Sequence, residues 1–235
     1  MTRFFDVPPK WNVMSCIALL AAAGFWSLSR DPAWSGATPP TPRAEPEVHY
    51  VTPRQLAESA ALTTISVPAF SATAHTSEPF AWPRPGDKRP LLLIFIKEGC
   101  PCSVEMEPFF RRLARAYSDT ACFAGIIDAD VHSARRYAET NTTPYPILAD
   151  ADKQIIRRLG AENGVYVALL VLPEAPLASL GGAAQKVSTI DSLWPGCSAE
   201  MFAQMGRRIA AAAGVTERPL DVGGLPTAPV TGCPF

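Results

Sequence analysis

Two thiols separated by a single proline, Cys100-Pro101-Cys102, stand where an apolar strand gives way to an amphipathic helix. Leu91 to Ile96 is a six-residue apolar run of strand length, the pattern of a strand covered on both faces. Beyond it, Met106, Phe109, Phe110, Leu113 and Tyr117 recur at three- and four-residue steps, on one face of a helix that starts near Pro101 or Cys102. The sulfurs therefore sit at or just before a helix N-terminus. Unpaired N–H groups and the positive end of the helix dipole stabilise a thiolate there, moving a thiol pKa from about 8.5 into the range of roughly 3.5–7.5. Thiol redox chemistry is the expectation, with Cys100 attacking and Cys102 as its partner or resolving thiol. A disulfide between them closes a small ring stiffened by proline, and strain of that kind makes a bond easier to reduce and so more oxidising.

The chain has six cysteines. Cys16 lies in an apolar N-terminal segment and reads as an ordinary small residue of it, so the rest of the chain carries five, at least one of which is outside any intramolecular disulfide. Cys197 and Cys233 are the candidates for resolving or structural pairing. The Gly- and Pro-rich tail can bring Cys233 to the active site, or a staple can tie Cys233 to Cys197 at the last helix. Cys122, inside an apolar run, reads as an inert buried thiol. Two soft thiolates one residue apart suit Cu(I), but His49, His75 and His132 fall in a linker, a loop and a helix start, with no metal-binding spacing. No metal and no cofactor is therefore expected. Phosphate-loop, zinc and hydrolase-serine motifs are absent, and Asp128, Asp130, Asp150 and Asp152 read as helix caps rather than catalytic acids.

The elements that position these thiols follow from the rest of the 235 residues. A formal net charge of -1 without a long basic run leaves no electrostatic footprint for nucleic acid. Trp11 to Leu28 is uncharged and mostly apolar, just long enough for a spanning helix of about 17–25 residues. Tryptophans flank it, and Arg3 with Lys10 favours a cytoplasmic N-terminus. Residues 1–30 are thus expected to be a membrane anchor, or a cleaved signal peptide with Val13 to Ala21 as its apolar region. Both readings export the remainder to the periplasm or another extracytoplasmic space. Residues 31–64 form a Pro-rich linker in which Gln55 to Thr64 suits one short helix. Ser77 to Pro90 reads as a loop opened by Pro79, Pro83 and Pro85.

Beyond the helix at about 102–117, strands are expected at Ala121–Ile127, Pro146–Ala149 and Val165–Leu172, with an edge strand at Gln185–Ile190. Helices are expected after Asp130, after Asp150 or Asp152 (stopped by Gly160), and from Ser198 to Gly214. Strands alternating with helices predict an α/β domain whose central sheet is mixed but mostly parallel, flanked by helices, with chemistry at the carboxyl ends of the central strands. Cys100 lies there. A tail, residues 217–235, follows.

A cysteine after a buried strand, opening a long amphipathic helix, resembles the thioredoxin-like superfamily. More narrowly, Lys97-Glu98-Gly99-Cys100-Pro101-Cys102-Ser103, Pro146 to Lys153 and Trp194 to Ser198 resemble the bacterial redoxin group related to peroxiredoxins and periplasmic thiol–disulfide oxidoreductases, over about residues 65–216. The resemblance implies a thioredoxin-like fold and redox exchange with protein thiols or disulfides, or with peroxide. It departs at three places. Only Pro101 separates the two cysteines, Lys97 stands where peroxiredoxins carry the peroxide-orienting threonine, and Val165-Tyr166 stand where a cis-proline is usual. The functional expectation is a membrane-tethered thiol–disulfide oxidoreductase acting through Cys100 and Cys102; the alternatives are a peroxiredoxin-like peroxidase and a non-catalytic thioredoxin-like module such as a copper chaperone.

Overall fold

The computed structural model describes residues 48–173 and 187–235. The apolar segment Trp11 to Leu28 and most of the Pro-rich linker lie outside these residues. Among those described, no helix is long and apolar enough to cross a membrane. In chain order the elements are β1 (His49–Tyr50), α1 (Pro53–Ala61), β2 (Ser66–Pro68), β3 (Phe70–Ala74), β4 (Pro79–Trp82), β5 (Leu91–Ile96), α2 (Pro101–Tyr117), β6 (Cys122–Ile127), α3 (Val131–Asn141), β7 (Ile147–Ala149), α4 (Gln154–Arg158), β8 (Val167–Val171), β9 (Val187–Trp194), α5 (Ala199–Ala213) and β10 (Val230–Thr231).

β5 is the centre of the molecule, and its alternation builds two cores. Leu92, Ile94 and Ile96 face α2, α3 and α5. Leu91, Leu93 and Phe95 face the opposite side, against Ile155, Ile156 and Leu159 around α4. A strand with helices on both faces has no polar side, which is why its sequence is an unbroken apolar run. The eight-stranded sheet has the order β2-β9-β8-β5-β6-β7-β3-β4, and β1 pairs separately with β10.

The sheet corrects the mostly parallel expectation. Only β5–β6 and β6–β7 are parallel. The pairs β2–β9, β3–β4, β3–β7, β5–β8 and β8–β9 are antiparallel. Apolarity reports that both faces of β8 are covered, and it carries no information about direction. Two further expectations are revised. Part of the Ser77 to Pro90 loop is β4, an edge strand that tolerates Pro79 and buries Phe80 and Trp82 on alternate positions. The expected edge strand at Gln185 to Ile190 is β9, which runs to Trp194 and is internal, because β2 pairs along its outer side; its first two expected residues lie outside those described.

Three helix starts follow their sequence signals, whereas Asp128, also expected to be a cap, accepts instead from Lys97 and the Glu98 N–H, and Lys153 rather than Asp152 is the N-cap residue of α4. Thr52 and Gln55 form a reciprocal capping box at α1, Asp130 accepts from the Ser133 N–H at α3, and Ser198 accepts from the Met201 N–H at α5. Asp150 does more than one cap's work. Its carboxylate accepts from the N–H groups of Gln154, Ile155 and Ile156, each at 2.9 Å. Asp150→Ala strands those donors in a mostly buried place, and we expect a loss of about 2 kcal/mol, read as a lower denaturant midpoint with an unchanged slope.

Candidate active site

Gly99, at φ +72°, turns the chain out of β5 so that Cys100 becomes the N-cap residue of α2, with Pro101 pre-set for the first helical position. The Cys100 sulfur thus stands at the helix N-terminus, although its side chain makes no capping hydrogen bond there. It lies at the carboxyl end of β5 in a residue only 2 % exposed. Burial alone raises a thiol pKa, but here hydrogen bonds outweigh it. The Cys233 N–H donates to Cys100 Sγ at 3.2 Å. The Cys233 thiol and the N–H groups of Ser103 and Cys102 also stabilise the charge, and the Cys100 pKa falls below its ordinary value.

The other two thiols are held protonated. Burial first, then the neighbouring Cys100 charge and its hydrogen bond to Cys100, push Cys102 up to about 11. The hydrogen bond to Cys100, then burial, raises Cys233. The lowered Cys100 and its two raised neighbours make Cys100 the most acidic of the three thiols. The structure therefore brings together Cys100, Cys102 and Cys233, and leaves Cys197 apart. Cys197 is fully buried among core residues, and burial raises it to about 12. Its backbone pairs with Val230, and all five described cysteines are free thiols. Cys122 is half-buried at the start of β6, donates to Asp87 Oδ2 at 3.4 Å and is raised by burial to about 11.

Cys233 reaches the site because the tail returns across the molecule. Val230 exchanges N–H···O=C bonds with Cys197, the Gly232 N–H donates to the Gly164 carbonyl at 2.9 Å, and the Gly164 N–H donates to the Cys233 carbonyl at 2.9 Å. The Phe235 N–H closes the ladder on the Glu162 carbonyl at 3.0 Å. Side chains fasten this strap. Asn163 Nδ2 donates to the Gly232 carbonyl at 3.1 Å, and Asn163 Oδ1 accepts from Gln55 Nε2 at 3.1 Å. Glycine is required on both sides of the crossing. A Cβ on Gly164 would lie 2.9 Å from Lys97 Cβ, and one on Gly232 would lie 2.9 Å from the Gly164 carbonyl oxygen and 3.2 Å from Cys100 Sγ. Val165, where the superfamily usually has cis-proline, sits at φ +67°, held by a 2.7 Å bond from its N–H to the Phe95 carbonyl. A β-branched residue in that region is strained, and such strain concentrates at functional sites.

Lys97, at the position of the expected threonine, supplies charge rather than a hydroxyl. Its Nζ donates to Asp128 Oδ2 at 2.6 Å, and the Glu98 N–H donates to Asp128 Oδ1 at 2.7 Å. The Asp128 side chain is 1 % exposed and that of Lys97 27 %. Asp128→Ala frees a cation next to the thiols and unties the Lys97–Gly99 turn. We expect about 2 kcal/mol of destabilisation, below the full cost of breaking a buried pair because Lys97 keeps some water; thermal denaturation reads it.

Beside the thiols a cleft of about 560 Å³ is lined by Pro101, Cys102, Glu105, Met106, Leu225 and Cys233. Among the described residues, no three His, Cys, Asp or Glu are grouped to hold a metal. His75 is engaged by the fold, its Nδ1 accepting from the Ile147 N–H at 3.0 Å. The sequence reading missed Asn163, Gln55 and Glu107. Asn163-Gly164 directly before a buried strand was the available signal for a tight backbone approach.

The AhpC/TSA family model matches residues 65–175. No curated protein matches the chain. An uncharacterized conserved protein from Geobacillus kaustophilus is 14% identical, with 73% of this chain and 90% of that one covered, and superposes with a TM-score of 0.50. The peroxidoxin BcpB from Mycobacterium tuberculosis is 21% identical over 66% of this chain and 97% of that one, at a TM-score of 0.47. A secreted disulfide oxidoreductase from Mycobacterium tuberculosis is 22% identical over 60% and 95%, at 0.44. With its mixed sheet, flanking helices and cysteine at the β5–α2 junction, the chain carries a thioredoxin-like domain that matches the AhpC/TSA family over residues 65–175.

Proposed function

We propose that the chain is a thiol–disulfide oxidoreductase in which Cys100 is the attacking thiolate and a second thiol of the same site completes the exchange. One observation carries the reading: hydrogen-bond donors converge on the Cys100 sulfur at the head of α2 while both neighbouring thiols stay protonated. The Cys100 thiolate attacks one sulfur of a partner disulfide. That S–S bond breaks, the other partner sulfur leaves as a thiolate and takes up a proton, and a mixed disulfide with Cys100 remains. A second site thiol then loses its proton and attacks Cys100, releasing the partner's remaining sulfur. Two electrons pass from the protein to the partner, and the reverse sequence oxidises a partner dithiol. Catalysed reduction of insulin or refolding of a scrambled disulfide substrate, compared between wild type and Cys100→Ser, tests the proposal. Equal rates would sink it.

Peroxide reduction is the second reading, favoured by the AhpC/TSA match. The ammonium of Lys97, tied to Asp128, stands in place of a hydroxyl that would orient a peroxide. Peroxide consumption no faster than that of a free thiol removes this reading; consumption that is fast and lost in Cys100→Ser replaces the first with it. The apolar segment 11–28, with Arg3 and Lys10 before it, supports a domain tethered to the membrane and working outside the cytoplasm. Retention of the full chain in the membrane fraction after an alkaline wash is expected; its release would refute the tether.

A further inference from the structure

Cys100, the reacting thiol of the proposed exchange, is 2 % exposed. Part of its cover is the chain's own C-terminus. Gly232 lies over the sulfur, and the Cys233 N–H donates to it at 3.2 Å. The strap is also paired as an added strand, with reciprocal N–H···O=C bonds between Gly232-Cys233 and Gly164 and an antiparallel bridge between Pro234 and Asn163. A backbone edge that accepts one extended segment accepts another, since main-chain pairing is indifferent to most side chains.

We propose that the strap Val230–Phe235 is a built-in substrate: Cys233 occupies the position of a partner's cysteine and forms the resolving disulfide with Cys100, and its withdrawal opens the Glu162–Gly164 edge to an extended, cysteine-bearing segment of another protein. This rests on the exchange activity proposed above. Cys102 is the competing resolver and also lies against Cys100, but a disulfide between those two must close a small ring across Pro101, whereas one to Cys233 carries no such constraint. Cys233 is already seated against the sulfur, on a strap only partly buried, so it connects the buried Cys100 to solvent. The chemistry balances as follows. After Cys100 has attacked a partner disulfide, the Cys233 thiol loses its proton and attacks the Cys100 sulfur. The mixed disulfide breaks, the partner sulfur leaves as a thiolate and is protonated, and Cys100–Cys233 is formed; an external dithiol reduces it again.

Oxidation of the full chain with oxidised glutathione, followed by trypsin and mass spectrometry without reduction, tests the disulfide. Cys100 and Cys102 fall in one peptide, Glu98–Arg111, and Cys233 in another. The expected product joins the two peptides and disappears in Cys233→Ser. A Cys100–Cys102 bond within one peptide, with Cys233 free, would overturn the proposal. The docking edge has its own test. Gly232→Val keeps all three cysteines but cannot fit against Gly164. At a pH high enough to ionise Cys100 in both proteins, we expect it to raise the rate of Cys100 alkylation by iodoacetamide about tenfold or more, as a strap closed most of the time requires. It should also capture a synthetic Thr227–Phe235 peptide whose cysteine is activated with thionitrobenzoate, faster than wild type does. Asn163→Ala, which removes the side-chain bond to the Gly232 carbonyl together with the bond from Gln55 Nε2 and leaves the strap's backbone pairing in place, should move both rates the same way by less. Unchanged rates in both variants would overturn the docking edge. Exchange activity lost in Cys100→Ser together with a free Cys233 defeats the strap alone, whereas activity unaffected by Cys100→Ser defeats the exchange proposal beneath it.

Discussion

Cys100→Ser is expected to lower exchange with a protein disulfide by on the order of 10³-fold or more, the scale on which loss of an attacking group is felt. A serine hydroxyl at the head of α2 receives the same hydrogen bonds but ionises far too weakly to attack sulfur. Neither neighbour replaces it. Cys102 loses the share of its raised pKa that the Cys100 charge supplies, but burial, the larger cause, still holds it protonated. Cys233 owes part of its raised pKa to the Cys100 charge itself. In Cys100→Ser that influence is gone, so Cys233 should become somewhat more acidic, though it gains no convergent donors. Cys102→Ser and Cys233→Ser differ from Cys100→Ser in kind: each leaves the first attack intact and acts on release of the mixed disulfide. Stopped-flow measurement of the first turnover separates the cases. A first turnover preserved in Cys100→Ser would show that the attacking thiol is another.

Lowering the pH from 8 to 5 is expected to stabilise the folded domain by about 3 kcal/mol through one group, Glu107. This carboxyl is buried in the middle of α2. Burial raises it to about 7 from an ordinary 4.5, although hydrogen bonds from Tyr145, Thr143 and Tyr137 pull the other way. Tyr145 Oη lies 2.9 Å from both carboxyl oxygens, and Thr143 Oγ1 donates to Oε1 at 3.1 Å. Tyr137 has one proton to give and sits 2.9 Å from the Ser103 carbonyl against 3.3 Å from Glu107 Oε2. When Tyr137 donates to Ser103, a proton on Oε2 completes the network. Between 4.5 and about 7 the folded state binds a proton that the unfolded chain has lost. The contribution is therefore whole below 4.5 and lost as pH rises through 7. Glu107→Gln cannot titrate, so its urea-derived stability should be flat across this interval by comparison. A wild-type stability that rises with pH between 5 and 7, or an unchanged slope in Glu107→Gln, would contradict the assignment. Because Tyr137 also holds the Ser103 carbonyl in the first turn of α2, the network anchors the end of the helix that carries Cys100.

The parts of the fold that could be read from the chain are those whose burial leaves a period or a cap. β5, β6 and β8 are covered on both faces and appear as apolar runs; Asp130, Asp150, Ser198 and Gly214 mark helix ends by local chemistry that needs no distant partner. β2, β3 and β4 are short, half-exposed and punctuated by proline, so their pattern is that of a loop until β7 and β9 offer them edges. The site divides in the same way. Cys100 at a strand–helix junction is a local signal. The contact between Cys233 and Cys100 spans 133 residues and is made by Gly232, Thr231 and Pro234, a composition with no apolar periodicity to announce it. Glu107 was legible in principle, since Ser103, Met106, Glu107, Phe110 and Ala114 share the helical spacing of the buried face. A carboxyl there is read as solvated only if the tyrosines that reach it from residues 137 and 145 are overlooked.

The most direct measurement is a titration of thiolate absorbance in the ultraviolet, taken as the difference between wild type and Cys100→Ser. It reports the Cys100 thiolate whether or not the strap admits a reagent. An inflection clearly below the ordinary thiol value of 9.0, shifted upward in Gly232→Val where the strap's donors are displaced, is the expected result. An inflection at or above 9.0 in wild type would mean that burial prevails over the converging donors, and Cys100 would not be the activated thiol of this protein.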